Sequence, residues 1–223
     1  VQWSDQDVVL TAFGDSEEMS GFNTNETFVW RFWDASKNEY YFADVTYDSS
    51  LPNDANFIED GLSALQSIEI YAKQDINLNQ GWSMVSSYVL EDDLLMSSLM
   101  APVAEDIVIM KDENGMAYWP YYNSNQIGDL SDEKGYKLLM EQSHQITFTG
   151  RKVIPNEKVL NLQQGWQIIP YLRESSGAVD AVFEDISESI IIVKDDVGQV
   201  YWPEWGINSI GNLNPGEGYQ IKM

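Results

Sequence analysis

Apolar and polar residues alternate over short runs in the first third of the chain. Across residues 27–33, Phe28, Trp30 and Phe32 fall on one side of an extended strand. Val29, Arg31 and Trp33 fall on the other. Residues 40–47 are aromatic and β-branched, 65–71 alternate again through Ile68 and Ile70, and 8–13 form a short apolar run. Turn chemistry separates these runs: Gly14-Asp15, Gly21, Asp34-Ala35-Ser36, Leu51-Pro52-Asn53-Asp54 and Asp60-Gly61. Short strands at this spacing predict a small, immunoglobulin-like β-sandwich over residues 1–72.

The pattern then repeats. One copy holds Gly81-Trp82, Lys111-Asp112, Gly115, Tyr118-Trp119-Pro120, Ile127-Gly128, Leu130, Gly135-Tyr136 and Met140. The other holds Gly165-Trp166, Lys194-Asp195, Gly198, Tyr201-Trp202-Pro203, Ile210-Gly211, Leu213, Gly218-Tyr219 and Met223. Each copy predicts a strand, a short helix, a hairpin, a loop and a closing strand. In the second copy Val179, Val182, Phe183 and Ile186 have helical spacing behind Gly177; Leu94, Leu95 and Leu99 match it less well in the first. Residues 82–90 are strand-like, and 107–110 and 190–193 are buried-strand runs. Gly115 and Gly198 supply the positive φ of hairpin turns. The proline after Tyr-Trp ends its strand or sits on an edge. A connector over 141–160 has one further strand candidate at 144–149. The expected organisation is mainly β: a sandwich over 1–72 and repeats over 73–150 and 151–223. The repeats either stand as separate beads or pack as one pseudo-symmetric domain. The marginal core of so small a unit favours the second.

Charge narrows the partners. The chain carries 36 acidic and 12 basic residues, a net charge of −24, with acidity densest in the first third. Such a surface repels phosphate backbones and anionic membranes, so neither nucleic acid nor a membrane is an expected partner. Solubility, cation binding or a salty medium fit better. With no cysteine, disulfides and thiolate chemistry are excluded. No apolar run approaches a membrane span. Residues 1–5 lack the basic and apolar regions of a signal peptide, so a processed or trimmed chain is expected.

Together, Gly-Trp, Lys-Asp-x-x-Gly-x-x-Tyr-Trp-Pro and Gly-Tyr-Gln-Ile-Lys-Met resemble modules near the C-termini of large secreted proteins of the Bacteroidota. Phe13-Gly14-Asp15, Gly21-Phe22-Asn23, residues 28–34 and Gly61-Leu62-Ser63-Ala64-Leu65 are similar to the module that often precedes them. The resemblance covers nearly the whole chain. It implies a secreted or cell-surface protein, commonly exported by a type IX system, although the usual sorting domain is absent from this sequence. It brings no catalytic residues with it.

Two groups of residues carry candidate chemistry. Trp119/Tyr122 and Trp202/Trp205 pair aromatic rings beside Asn123, Asn125 and Asn208. Exposed rings stack on the apolar face of a sugar while amides bind its hydroxyls. The competing reading, favoured by the general burial of tryptophan, is that these rings plug a core. Trp82 and Trp166, each after a glycine at a strand start, are expected in the core. The second group is an acidic loop: Asp15, Glu17, Glu18, Asn23, Asn25 and Glu26, a candidate Ca2+ site set against an ordinary solvated loop. Asp112/Glu113 and Asp195/Asp196 raise the same question, with a plain polar hairpin as the simpler reading. His144 is the only histidine, so multi-histidine metal sites are impossible and a Ser-His-Asp triad would have to use it. Paired carboxylates can hydrolyse glycosides, but so acidic a chain offers pairs everywhere. The expected function is therefore non-catalytic adhesion or carbohydrate binding. The expected partners are glycans or other copies or modules of the same surface protein. A structural spacer, stalk or filament subunit is the alternative, and a glycoside-active enzyme comes third.

Overall fold

The computed structural model describes residues 8–17, 19–35 and 38–223, with Glu39 described for its backbone alone. The protein is mainly β, built from antiparallel sheets with only short helices. Among the described residues no helix is long and apolar enough to cross a membrane. The chain divides into two compact units, Val1–Tyr71 and Ala72–Met223.

In the first unit β1 (Arg31–Asp34), β2 (Glu39–Tyr47) and residues 65–71 of β3 (Leu65–Leu78) form an antiparallel meander. Trp33 lies opposite Tyr40 and Phe42 opposite Tyr71, and a bulge interrupts the ladder at Thr46/Tyr47. Residues 8–13 form no strand, and the alternating run over 27–33 becomes one only from Arg31. Isolated bridges join Gly14 to Phe22 and Thr27 to Asn56. Backbone packing fixes Gly21: a Cβ there would lie 2.4 Å from the carbonyl oxygens of Phe13 and Gly14. Phe57, ringed by Phe22 and Phe28, is the only buried hydrophobic residue among the described residues of this unit. The regular strands here make one sheet; the second layer of a sandwich is not seen among the described residues.

The second unit contains both repeats. Residues 72–78 of β3 pair with β10 (His144–Lys152), and Ala72, Gln74, Ile76 and Leu78 alternate inward. The first repeat comprises β4 (Gly81–Val85), β5 (Val89–Leu90), α1 (Met96–Leu99), β6 (Ile107–Lys111), β7 (Ala117–Trp119), β8 (Ser124–Asn125) and β9 (Tyr136–Met140). The second comprises β11 (Trp166–Pro170), β12 (Gly177–Ala178), α2 (Val179–Val182), β13 (Ile192–Lys194), β14 (Val200–Trp202), β15 (Ile207–Asn208), β16 (Asn212–Leu213) and β17 (Gly218–Lys222). The sheets run β4-β9-β6-β7-β8 and β11-β17-β13-β14-β15, the same order of equivalent strands. Equivalent residues also pair: Met110 with Tyr118 and Val193 with Tyr201.

The repeats touch where the opening strand of each meets the start of the closing strand of the other. Gly135 N–H donates to the Ile168 carbonyl (2.8 Å), Ser86 N–H to the Gly216 carbonyl (2.9 Å), and Val85 bridges Glu217. At the centre the glycines of the two Gly-Tyr pairs meet. A Cβ on Gly135 would lie 3.3 Å from Gly218 Cα and 2.8 Å from Ile168 Cγ2 and the Ile169 carbonyl. One on Gly218 would lie 3.4 Å from Gly135 Cα and 3.1 Å from the Val85 carbonyl. Any side chain at either position would push the repeats apart, so the Gly-Tyr motif is an inter-repeat packing motif. Behind each glycine the tyrosine, Tyr136 or Tyr219, is buried in its own repeat's core.

Candidate functional site

Each Tyr-Trp-Pro motif builds the same hairpin tip. The tyrosine points into the core, so the tryptophan that follows points out. Proline, with its fixed φ and no N–H, opens a 3-10 turn, Pro120–Tyr122 or Pro203–Trp205. Asn123 N–H donates to the Pro120 carbonyl (2.8 Å) and Gly206 N–H to that of Pro203 (3.0 Å). The turn ends on a left-handed residue, Asn123 (φ 50°) or Gly206 (φ 63°). The chain then pairs back, Trp119 opposite Ser124 and Trp202 opposite Ile207.

This turn throws its rings outward. In the first repeat Trp119 is 41% exposed and packs edge-on against Tyr122 (4.8 Å, 84°), which packs edge-on against Tyr121. In the second, Trp205 is 68% exposed and tilted on Trp202 (5.5 Å, 45°). Trp202 is half-buried, and its indole N–H is enclosed without a hydrogen-bond partner among the described residues. Trp119, Tyr122 and Trp205 do not plug a core, whereas Trp202 is partly enclosed beneath Trp205.

The neighbouring amides have structural work. Asn123 supplies the left-handed position, which asparagine tolerates. Asn208 Oδ1 accepts Gly211 N–H (2.9 Å), and Asn125 Oδ1 accepts Gly128 N–H (3.0 Å). Both close the Asn-x-x-Gly loop that follows the hairpin.

Trp82 and Trp166 are the clear correction to the sequence reading. They are 52% and 45% exposed. Strand alternation explains it: Val85 and Ile169, three residues on, enter the cores, so the tryptophans face out. Lys194 and Lys222 ammonium groups lie 5.2 and 5.8 Å from the Trp166 ring centre.

The aspartates at the Lys-Asp hairpins brace turns. Asp112 Oδ1 accepts the N–H groups of Asn114 and Met116 (both 2.9 Å). Asp195 Oδ1 accepts those of Val197 (3.1 Å) and Gln199 (2.7 Å). Lys134 Nζ lies 3.3 Å from Asp112 Oδ2 and 3.5 Å from Glu113 Oε1. Burial pulls the Lys134 pKa down, but Glu113 and Asp112 outweigh it and hold it above the ordinary lysine value. Close by, Tyr136 Oη accepts Ser131 N–H (2.8 Å), and burial pushes its pKa up to about 12. Tyr219 Oη accepts Asn214 N–H (2.8 Å) and donates to Glu217. Burial first, and that bond second, raise its pKa.

In the acidic loop, Asp15 Oδ1 accepts Gly21 N–H (3.1 Å) and Glu26 Oε2 accepts Asn23 N–H (2.8 Å). Asn25 holds a left-handed turn (φ 68°), and Glu17 is exposed. Glu18 lies outside the described residues. Among the described residues no group of three acidic or histidine side chains is placed to hold a metal ion. His144 Nε2 lies 2.6 Å from Asp106 Oδ2, while the Ser143 hydroxyl accepts Gln80 N–H (2.9 Å).

No protein-family model, curated protein or solved structure matches this chain.

Proposed function

We propose that this chain is a non-catalytic, extracellular or cell-surface module that binds carbohydrate through the Trp119/Tyr122 and Trp202/Trp205 platforms. One observation carries the reading: a duplicated Pro-initiated turn presents large aromatic rings to solvent in both repeats. Clustered exposed aromatics mark interaction surfaces. Sugar rings, with apolar C–H faces and polar rims, suit an aromatic plane at the edge of an acidic surface. The resemblance to secreted modules supports the location, and the net charge of −24 disfavours phosphate-rich partners. The rings vary between repeats, Tyr121-Tyr122 against Glu204-Trp205, while the turn beneath them is kept. The two platforms would therefore share a ligand class with different preferences.

A spacer or stalk is the second reading, favoured by the glycine-to-glycine packing that joins the repeats. Trp205→Ala separates the two. The binding reading expects a folded protein whose affinity for its polysaccharide falls about five- to thirtyfold, the scale of one lost stacking contact of about 1–2 kcal/mol. A spacer would bind no glycan before or after the change.

A further inference from the structure

The sheet faces turned away from each repeat's core carry charge opposite in sign to the chain. In the first repeat Trp82, Leu139 and Ile109 form one cross-strand row on that face, and Met84, Lys137, Lys111 and Ala117 form the next. In the second the rows are Trp166, Lys222 and Ile192, then Ile168, Gln220, Lys194 and Val200. Trp119 and Trp202 project from the same faces, because the tyrosine before each points into the core. None of these positions is acidic, although the chain has 36 Asp and Glu residues, and each face holds two lysines.

Those lysines lack partners. Elsewhere in the same unit Lys134, Lys152 and Lys158 meet carboxylates at 3.3, 2.9 and 2.8 Å. Lys111, Lys137, Lys194 and Lys222 meet none among the described residues. They are also crowded together. Lys111 stands directly opposite Lys137, and like charges in that arrangement destabilise a sheet. The Lys194 and Lys222 ammonium groups converge on one exposed ring, Trp166, at 5.2 and 5.8 Å from its centre. All four side chains are half-buried.

The repeats keep two lysines on the face while moving one of them. Lys111 corresponds to Lys194, but Lys137 corresponds to Gln220, and Lys222 corresponds to Leu139. The move is two residues along the closing strand, which returns the side chain to the same face. Packing at one fixed position does not explain it. A requirement for two positive charges on the face does, and the group that such a pair lacks is an anion.

We propose that each face binds the acid groups of an acidic saccharide, carboxylate or sulfate, while the sugar rings stack on the aromatic platform beside it. This rests on the carbohydrate reading and names its ligand class. The lysines add to the stacking that neutral sugars make. The net charge of −24 opposes such a ligand from a distance. Salt screens that repulsion beyond about 8 Å at physiological ionic strength, and the charges the ligand touches are positive.

Calorimetric titration of the full chain at physiological ionic strength tests it with two pairs of oligosaccharides: an oligogalacturonate with its methyl ester, and a sulfated galactan with its desulfated form. The acidic member of at least one pair should bind saturably and at least about tenfold tighter than its neutral counterpart, the scale of one charge-assisted hydrogen bond. The pair that shows the preference identifies the acid group. Changing all four lysines to glutamine, which the second repeat already carries at Gln220, should abolish the preference and leave the circular dichroism unchanged. Lys222→Leu, which copies Leu139, should reduce it on its own. Lys137→Gln removes an opposed charge and should leave the unfolding midpoint unchanged or raised; a lower midpoint would show that lysine serving the fold and overturn its assignment. Equal binding within both pairs, or a preference that survives the fourfold variant, would overturn the inference. The carbohydrate reading would still stand if that binding is weakened in Trp205→Ala. No binding in any arm would remove both.

Discussion

In the first repeat Lys134 ties the Asp112–Glu113 hairpin to the closing strand; in the second Glu217 occupies that place and bonds Tyr219 and Asn214 instead. Yet both repeats reach the same strand order and the same turns. What they share is mostly uncharged: a buried tyrosine hydroxyl accepting a loop N–H, an aspartate bracing a hairpin, a Pro-initiated turn, and glycine at the inter-repeat contact. The ion pair is thus dispensable to the backbone. Positions that differ between copies, Lys134/Glu217 and Tyr122/Trp205, lie outside that shared frame.

The largest expected effect breaks the shared contact. Gly135→Ala places a methyl group 2.8 Å from Ile168 Cγ2 and the Ile169 carbonyl and should cost about 2–3 kcal/mol in urea unfolding. Gly218→Ala meets nothing closer than 3.1 Å and should cost less. Equal and negligible losses would show that the repeats do not depend on this packing.

Alkaline titration compares the buried tyrosines. Both have pKa values raised above the unfolded value of about 10, so the folded state disfavours the tyrosinate. Their contribution to stability is full below about pH 10 and is lost as pH rises through the folded pKa, about 12 for Tyr136. Absorbance at 295 nm should show Tyr136 and Tyr219 ionising only near or during unfolding. A single transition for all tyrosines in a folded chain would contradict their burial.

Smaller effects sharpen the charge difference. Lys134→Ala should destabilise by about 0.5–1 kcal/mol, since the lysine is partly exposed. Glu217→Lys should change stability by less than about 1 kcal/mol, because relieved repulsion offsets the lost tyrosine bond. A collapse of the fold in Glu217→Lys would show that the second repeat requires the carboxylate.

Much of the fold was legible as short apolar, aromatic and β-branched runs. The runs over 40–47, 107–110 and 144–149 are strands because each has one face turned to other residues of the chain. Local pattern failed where distant contacts decide. The strand-like run over 82–90 is split because the Ser86 hydroxyl donates to the Glu217 carbonyl (2.5 Å) and accepts Tyr171 N–H (3.1 Å). The Gly-Tyr pair stands out in the sequence, but its purpose, two glycines in contact across repeats, does not. The general burial of tryptophan misled at Trp82 and Trp166, where alternation from Val85 and Ile169 was the better guide. At Trp119/Tyr122 and Trp202/Trp205 the proline directly after the first tryptophan was the useful signal, since it opens a turn that carries Tyr122 and Trp205 out of the sheet. Alternation in the first 71 residues predicts more strands than form among the described residues, and the single buried phenylalanine among them shows how little core those runs have to pack against.

The most direct test is binding of the full chain to a panel of neutral polysaccharides, alongside a double variant, Tyr122→Ala with Trp205→Ala, whose circular dichroism confirms folding. Saturable binding to at least one polysaccharide, lost in the double variant, is the predicted result. No binding across the panel, or binding untouched by removal of both rings, would contradict the account and leave the duplicated turns as parts of a spacer.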